Sequence, residues 1–260
     1  MKIATFNVNG INARLPRLLE YLAEAKPDVV CLQELKTADE SFPEAAISDA
    51  GYGAVWHGQK GFNGVAILAR GETPVETQRG LPGDPDDSHS RYIEAIVGGI
   101  RIASIYLPNG NPQPGPKFDY KLKWFERLIE HARALLALEV PVVLAGDYNV
   151  CPEDRDAWSM SAMANDALVQ PDSRAAFRRL VFQGWTDALR QIHPHDDHLY
   201  SFWDYQAGCW PRNAGLRIDH LLLSPQLADR LVDAQVDRQP RAREKSSDHT
   251  PVWVEITAQH

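Results

Sequence analysis

The chain has 260 residues, 44% hydrophobic and 24% charged, with a formal net charge of −8; the length suits one large domain, 1–260, and the composition excludes a disordered chain. No run approaches the ~18 apolar residues of a membrane span, so no membrane partner is expected, and the N-terminus turns polar too early for a secretory leader. Three widely spaced cysteines, Cys31, Cys151 and Cys209, form no disulfide framework and fit a reducing cytoplasm. The acidic balance decides nothing about nucleic acid, because a local field can differ in sign from the net charge.

In chain order, apolar β-rich runs bounded by Gly, Pro, Asn or Asp predict strands at 2–6, 28–32, 64–69, 92–97, 101–107, 140–145, 218–224 and 252–257. Between the first two, Leu15, Leu18, Leu19 and Leu22 share one helical face, with Asn12 placed as its N-cap. Phe118, Leu122, Phe125, Ile129 and Leu136 predict a long helix over 117–138, and 173–183 reads as a third. The strands at 64–69 and 92–107 have no helix between them, which predicts an α/β (α+β) protein with mixed sheets and helices packed outside. The Pro/Gly-rich stretches 81–87 and 108–116 read as loops within the domain.

The chemistry lies in what ends each strand. Strand 2–6 runs into Asn7-Val8-Asn9-Gly10, strand 28–32 into Gln33-Glu34, and strand 140–145 into Gly146-Asp147-Tyr148-Asn149. Strand 101–107 carries Tyr106 and then Asn109; Asp219-His220 and Ser247-Asp248-His249 complete the set. Any one of these alone reads as a turn residue or a helix-end acid. Together, at converging strand ends, they describe a site. Glu34, Asp147, Asp219 and Asp248 with Asn7, Asn9 and Asn149 are hard oxygen donors suited to Mg²⁺ or Mn²⁺, whereas zinc and a nucleophile-elbow serine lack their spacing. Hard metal, carboxylate and imidazole point to phosphoester hydrolysis.

These motifs, with Tyr200-Ser201-Phe202-Trp203-Asp204-Tyr205 and Gly215-Leu216-Arg217-Ile218-Asp219-His220, resemble the exodeoxyribonuclease III/AP endonuclease family of the endonuclease/exonuclease/phosphatase superfamily, in order from Ile3 to Val254. The resemblance implies a four-layer α/β/β/α sandwich of two mixed β-sheets flanked by helices. It implies Mg²⁺-dependent hydrolysis of double-stranded DNA, with Mn²⁺ able to substitute: incision 5′ to abasic sites, with 3′→5′ exonuclease and 3′-end trimming activity, by a chain for which a monomer suffices. By the same resemblance Glu34 ligates the metal, Asn7 and Asn9 lie beside it in contact with the ion or just behind, and Asp248 shapes that site or a second metal position. Asp147 orients and deprotonates water, Asn149 steers that water or the phosphate, and His249, held by Asp219, meets a phosphate oxygen. Tyr106 and Asn109 touch the scissile phosphate. Phe202, Trp203, Leu216 and Ile218 form a slot for a baseless sugar, with Arg212 and Arg217 as cations for DNA. The residues leave open whether Asp147, an ionised Tyr106 or His249 is the base.

Ser246-Ser247 stands where the family commonly has Pro-Ser, which is expected to loosen the loop holding His249, and the stretch from Cys151 to Gln183 follows the family less closely. Two other readings remain: a superfamily phosphoesterase for lipid or inositol phosphates, and a non-catalytic DNA-binding member.

Overall fold

The structure is a computed structural model and describes residues 1–257. Its architecture follows from strands buried on both faces. β1 (Lys2–Asn7) sends Ile3 into a core between two sheets and Ala4 and Phe6 into a second core beneath a helix. β2 (Val29–Gln33) divides Val29 and Cys31 from Val30 and Leu32 in the same way. Such strands read as unbroken apolar runs, which is why the sequence displays them.

The remaining strands are β3 (Tyr52–His57), β4 (Val65–Arg70), β5 (Val75–Arg79), β6 (Tyr92–Val97), β7 (Ile100–Tyr106), β8 (Val142–Asp147), β9 (Thr186–Asp187), β10 (Asp219–Leu223), β11 (Leu231–Val236) and β12 (Val252–Ile256). One six-stranded sheet has the order β11-β12-β1-β2-β4-β3, the other β5-β6-β7-β8-β10-β9. β1/β2 and β7/β8 are parallel and the other pairs antiparallel, so both sheets are mixed as expected. The four strands absent from the sequence reading, β3, β5, β9 and β11, are the four sheet edges. An edge strand is covered on fewer sides and loses the apolar signal; β5 is almost entirely exposed.

Helices α1 (Ile11–Ala25) and α2 (Glu44–Asp49) pack Leu18, Tyr21, Leu22 and Ile47 over the first sheet. On the second sheet lie α3 (Pro116–Leu136) and, beyond the short α4 (Met160–Met163), α5 (Pro171–Val181), through Trp124, Phe125, Leu128, Phe177 and Leu180. The result is the four-layer α/β/β/α sandwich. Asn12 is not an N-cap: the helix starts at Ile11 after Gly10, and Asn12 Nδ2 donates to Thr37 Oγ1 (3.1 Å) and Ser41 O (3.2 Å). Among the described residues no helix is long and apolar enough to cross a membrane.

Candidate active site

Register puts three functional residues in a row. Tyr106 on β7 pairs with Asp147 on β8, and Asp147 pairs with Asp219 on β10. The close approach of β7 and β8 needs Gly146, where a Cβ would sit 2.0 Å from the Ile105 carbonyl oxygen. From the other sheet come Asn7, ending β1, and Glu34, just past β2. Glu34, Asn149 and Asn9 all have left-handed backbone (φ 52°, 48° and 46°). Asn tolerates that conformation; for Glu34 it costs on the order of 1 kcal/mol, held by the surrounding chain.

Asn7 joins the sheets. Its Nδ2 donates to Glu34 Oε1 (2.9 Å) and Asp147 Oδ2 (3.0 Å), while its Oδ1 accepts the Asn9 N–H (3.0 Å). The amide nitrogen of Asn7 thus faces both carboxylates and holds them side by side. Asn9 also stands back: its Oδ1 accepts from Lys36 and its Nδ2 donates to Asp248 Oδ1 (3.2 Å). Asn7 and Asn9 thus stand just behind the carboxylates, as one of the two expected placements has them. Glu34, Asp147 and His249 each present a ligand atom, all within 4.8 Å of one another; Asp248 lines the cleft outside that group.

The electrostatics fit a cation. Asp147 and Asp219 are buried, with Glu34 beside them. Burial would push the Glu34 carboxyl up, but hydrogen bonds from Lys36 (2.9 Å) and Asn7 and the Lys36 charge hold it below its usual range. Burial drives the Asp147 carboxyl up; the His249 charge opposes this, while repulsion from Asp219 and Glu34 adds to it. Burial would lower His249, yet Asp219, 2.8 Å from Nδ1, and Asp147, 3.6 Å from Nε2, raise it and keep the imidazole charged. Like-charged carboxylates packed this closely, with hard donors turned inward, suit a divalent metal.

The loop carrying His249 is tied, contrary to the expectation for Ser246-Ser247. Ser246 Oγ donates to Arg241 O (2.9 Å), and Ser247 Oγ donates to Asn7 O (2.7 Å) and accepts the His249 N–H (3.2 Å). Asn149 Nδ2 donates to Leu107 O (2.8 Å) and its Oδ1 accepts from Asn109 Nδ2 (3.2 Å), so both amides are held at the cleft.

The cleft above this floor encloses about 400 Å³, and Phe202, Leu216 and Ile218 line its apolar wall beside Tyr106 and Asn109. Phe202 bridges to both Leu216 and His249, which fastens the wall to the floor. Two expected DNA-facing residues are corrected. Trp203 is fully buried, its Nε1 on Asn213 Oδ1 (3.1 Å), and supports the wall from beneath Gly215. Arg217 is 1% exposed and locked between Asp156 (2.7 Å) and Asp187 (2.9 Å), leaving no face for a phosphate. Arg212 remains exposed.

Three contributors escaped the sequence reading. Lys36 contacts Glu34; Ser201 Oγ donates to Asp219 Oδ2 (2.6 Å); Lys121 Nζ, fully buried, donates to Asn109 O (3.0 Å) and Asn149 O. Lys121 had a signal: it occupies the core-facing row Phe118, Lys121, Phe125, Leu128 of α3, where a lysine needs a reason.

The endonuclease/exonuclease/phosphatase family matches residues 4–249. The chain is 35% identical to exodeoxyribonuclease III of Haemophilus influenzae over 270 aligned positions, 98% of this chain and 100% of that one. A 3′ phosphatase from Neisseria, NExo, solved with a product DNA hairpin, is 41% identical with a TM-score of 0.96, covering 99% of this chain and 100% of that one. An AP endonuclease from Archaeoglobus fulgidus is 39% identical with a TM-score of 0.95 over 99% of this chain and 100% of that one. Full-length identity of this order, on a site with its carboxylates and imidazole assembled, places the chain in the endonuclease/exonuclease/phosphatase family as a metal-dependent, hydrolytic DNA-repair nuclease.

Proposed function

We propose that this nuclease uses Mg²⁺, with Mn²⁺ able to replace it, to cut duplex DNA 5′ to abasic sites and to remove blocked or unpaired residues from 3′ ends. The observation that carries this is the meeting of Glu34, Asp147 and His249, within 4.8 Å of one another, with the apolar wall of Phe202, Leu216 and Ile218 in one cleft. A baseless sugar offers an apolar ring to that wall and its phosphate to that floor. Residues 1–260 act as one domain and one copy suffices, since every group invoked comes from one chain. Three free cysteines, two of them buried, support a cytoplasmic setting.

Glu34 would hold the metal beside Asp147, and the bound ion would supply positive charge where negative charge develops on the phosphate. Asp147 takes the proton of the attacking water, its carboxylate oriented by the Asn149 N–H (2.9 Å) and Asn7. Burial and the charges of Glu34 and Asp147 push the Tyr106 hydroxyl well above its usual range, which favours it as a hydrogen-bond donor. His249, kept charged by Asp219, is a donor to a nonbridging oxygen and not a base. Tyr106 and Asn109 face the same phosphate.

The test is turnover of a duplex with one abasic analogue and of a duplex with a 3′-phosphate, each with Mg²⁺ and with chelator. Metal-dependent cleavage of both supports the reading. Faster hydrolysis of an inositol phosphate than of either duplex would overturn it. Glu34→Ala should need far more Mg²⁺ for its residual activity.

A further inference from the structure

The segment that follows the family least closely, between Cys151 and Gln183, places in the cleft one aromatic side chain that the hydrolysis does not use. Trp158 is 41% exposed and lines the cleft with Phe202 and Leu216. Its backbone is anchored: the main-chain N–H of Trp158 donates to Gly215 O (3.1 Å), and Ala157 bridges to Leu216, which seats the residue beside the apolar wall. The Arg212 guanidinium lies 5.7 Å from the ring. A cleft of about 400 Å³ is in the range that encloses a drug-sized molecule, roughly 300–1,000 Å³.

We propose that Trp158, flanked by Arg212, is a stacking platform for the nucleobase of an unpaired 3′-terminal nucleotide. The inference rests on the nuclease reading above and deepens it. Asp166 and Asp204 line the same cleft, so a neutral planar group is better tolerated there than a second phosphate. Every base offers a π-face, which makes the platform indifferent to sequence, and the guanidinium adds cation–π attraction on the indole's flank. The apolar slot still rejects a base; the platform receives it beside the slot. Because a paired base must first leave its stack, mismatched and frayed ends reach the platform at less cost than matched ones.

The experiment compares two duplexes identical except at the 3′ terminus, one ending in a mismatched nucleotide and one in a baseless tetrahydrofuran residue. The readout is the ratio of their kcat/KM values. Trp158→Ala should lower that ratio by about 5- to 150-fold, the equivalent of ~1–3 kcal/mol for one base stack, and Trp158→Phe should retain much of it. In chelator, 2-aminopurine as the terminal base should be quenched by the wild-type protein and less by Trp158→Ala. Equal loss on both duplexes, or an unchanged ratio, overturns the platform. If neither duplex is cut, the nuclease reading fails, while the 2-aminopurine signal still decides the platform.

Discussion

Replacing Lys121 tests how the site is held together. Its buried amine donates to the main-chain oxygens of Asn109 and Asn149 and ties together the loops bearing those side chains. Burial pushes the amine down to about 7, yet neither protonation state breaks the tie, since an ammonium has three N–H donors and a neutral amine two. Lys121→Met keeps the length and removes the donors. Two carbonyls left unpaired cost about 1–3 kcal/mol each. Against this, the cost of burying a charged amine disappears, at about 1.4 kcal/mol for each unit its pKa is depressed. Between about 7 and its ordinary value of 10.5 the unfolded chain holds a proton that the folded chain does not. Wild-type stability therefore rises with pH across that window, and below it the full burial cost remains. The two effects of Lys121→Met nearly offset at about pH 6, and the variant becomes clearly less stable than wild type towards about pH 9.5. Urea unfolding at both values measures this. Catalysis has no such offset: misplacing Asn149 and Asn109 by about 1 Å should lower kcat on an abasic duplex ~10²-fold even at pH 6, with partial rescue by Lys121→Arg. Wild-type kcat in Lys121→Met, or an equal stability difference at both pH values, would refute the argument.

Asp147→Asn should lower kcat by ~10²–10⁴-fold while DNA binding persists or tightens, measured by single turnover and by titration; normal turnover removes Asp147 from the base role. Arg212→Ala should reduce the log–log salt slope of duplex binding by up to about 0.9, the share of one phosphate contact. Arg217→Ala should leave the slope unchanged and destabilise by ~3–5 kcal/mol, because Asp156 and Asp187 lose their buried partner; a slope change without destabilisation would return Arg217 to the DNA surface. Burial and the Arg217 charge push His220 from 6.5 down to about 4. The unfolded chain then binds the extra proton, so stability falls as pH drops from 6.5 towards 4, and His220→Gln should flatten that limb of the unfolding profile. DNA affinity in chelator should fall below that in Ca²⁺ without turnover, since Glu34 and Asp147 otherwise face the phosphate with their own charge.

The sheet centres and the catalytic floor were legible because both leave marks in local sequence. β1, β2, β7 and β8 are buried on both faces and end on Asn7, Gln33-Glu34, Tyr106 and Asp147. What sequence hid was which way a polar group faces. Arg217 and Arg212 are five residues apart and alike in chemistry, but only the fold supplies Asp156 and Asp187 to enclose one of them. Trp203 and Phe202 are adjacent, and strand-like alternation sends one under the wall and the other into the cleft. Asn7 was recognised as a site residue, but only the Asn9 N–H on its oxygen shows that its nitrogen faces the carboxylates.

The same orientation effects explain how a chain of net charge −8 can act on a polyanion. Several cations are committed to partners within the chain: buried Arg217 to Asp156 and Asp187, buried Lys121 to carbonyls, and half-buried Lys36 to Glu34 and Asn9. Glu34, Asp147, Asp248, Asp166 and Asp204 meanwhile line the cleft. Such a cleft repels phosphate through long-range charge and gains little from steering. On the proposed function its hold on substrate comes at short range, from a bound metal, from charged His249 and from the apolar wall of Phe202, Leu216 and Ile218. On the proposed function, DNA whose sugar or base is already out of the stack would meet the wall and the floor together, whereas a stacked base pair would keep its sugar from the wall.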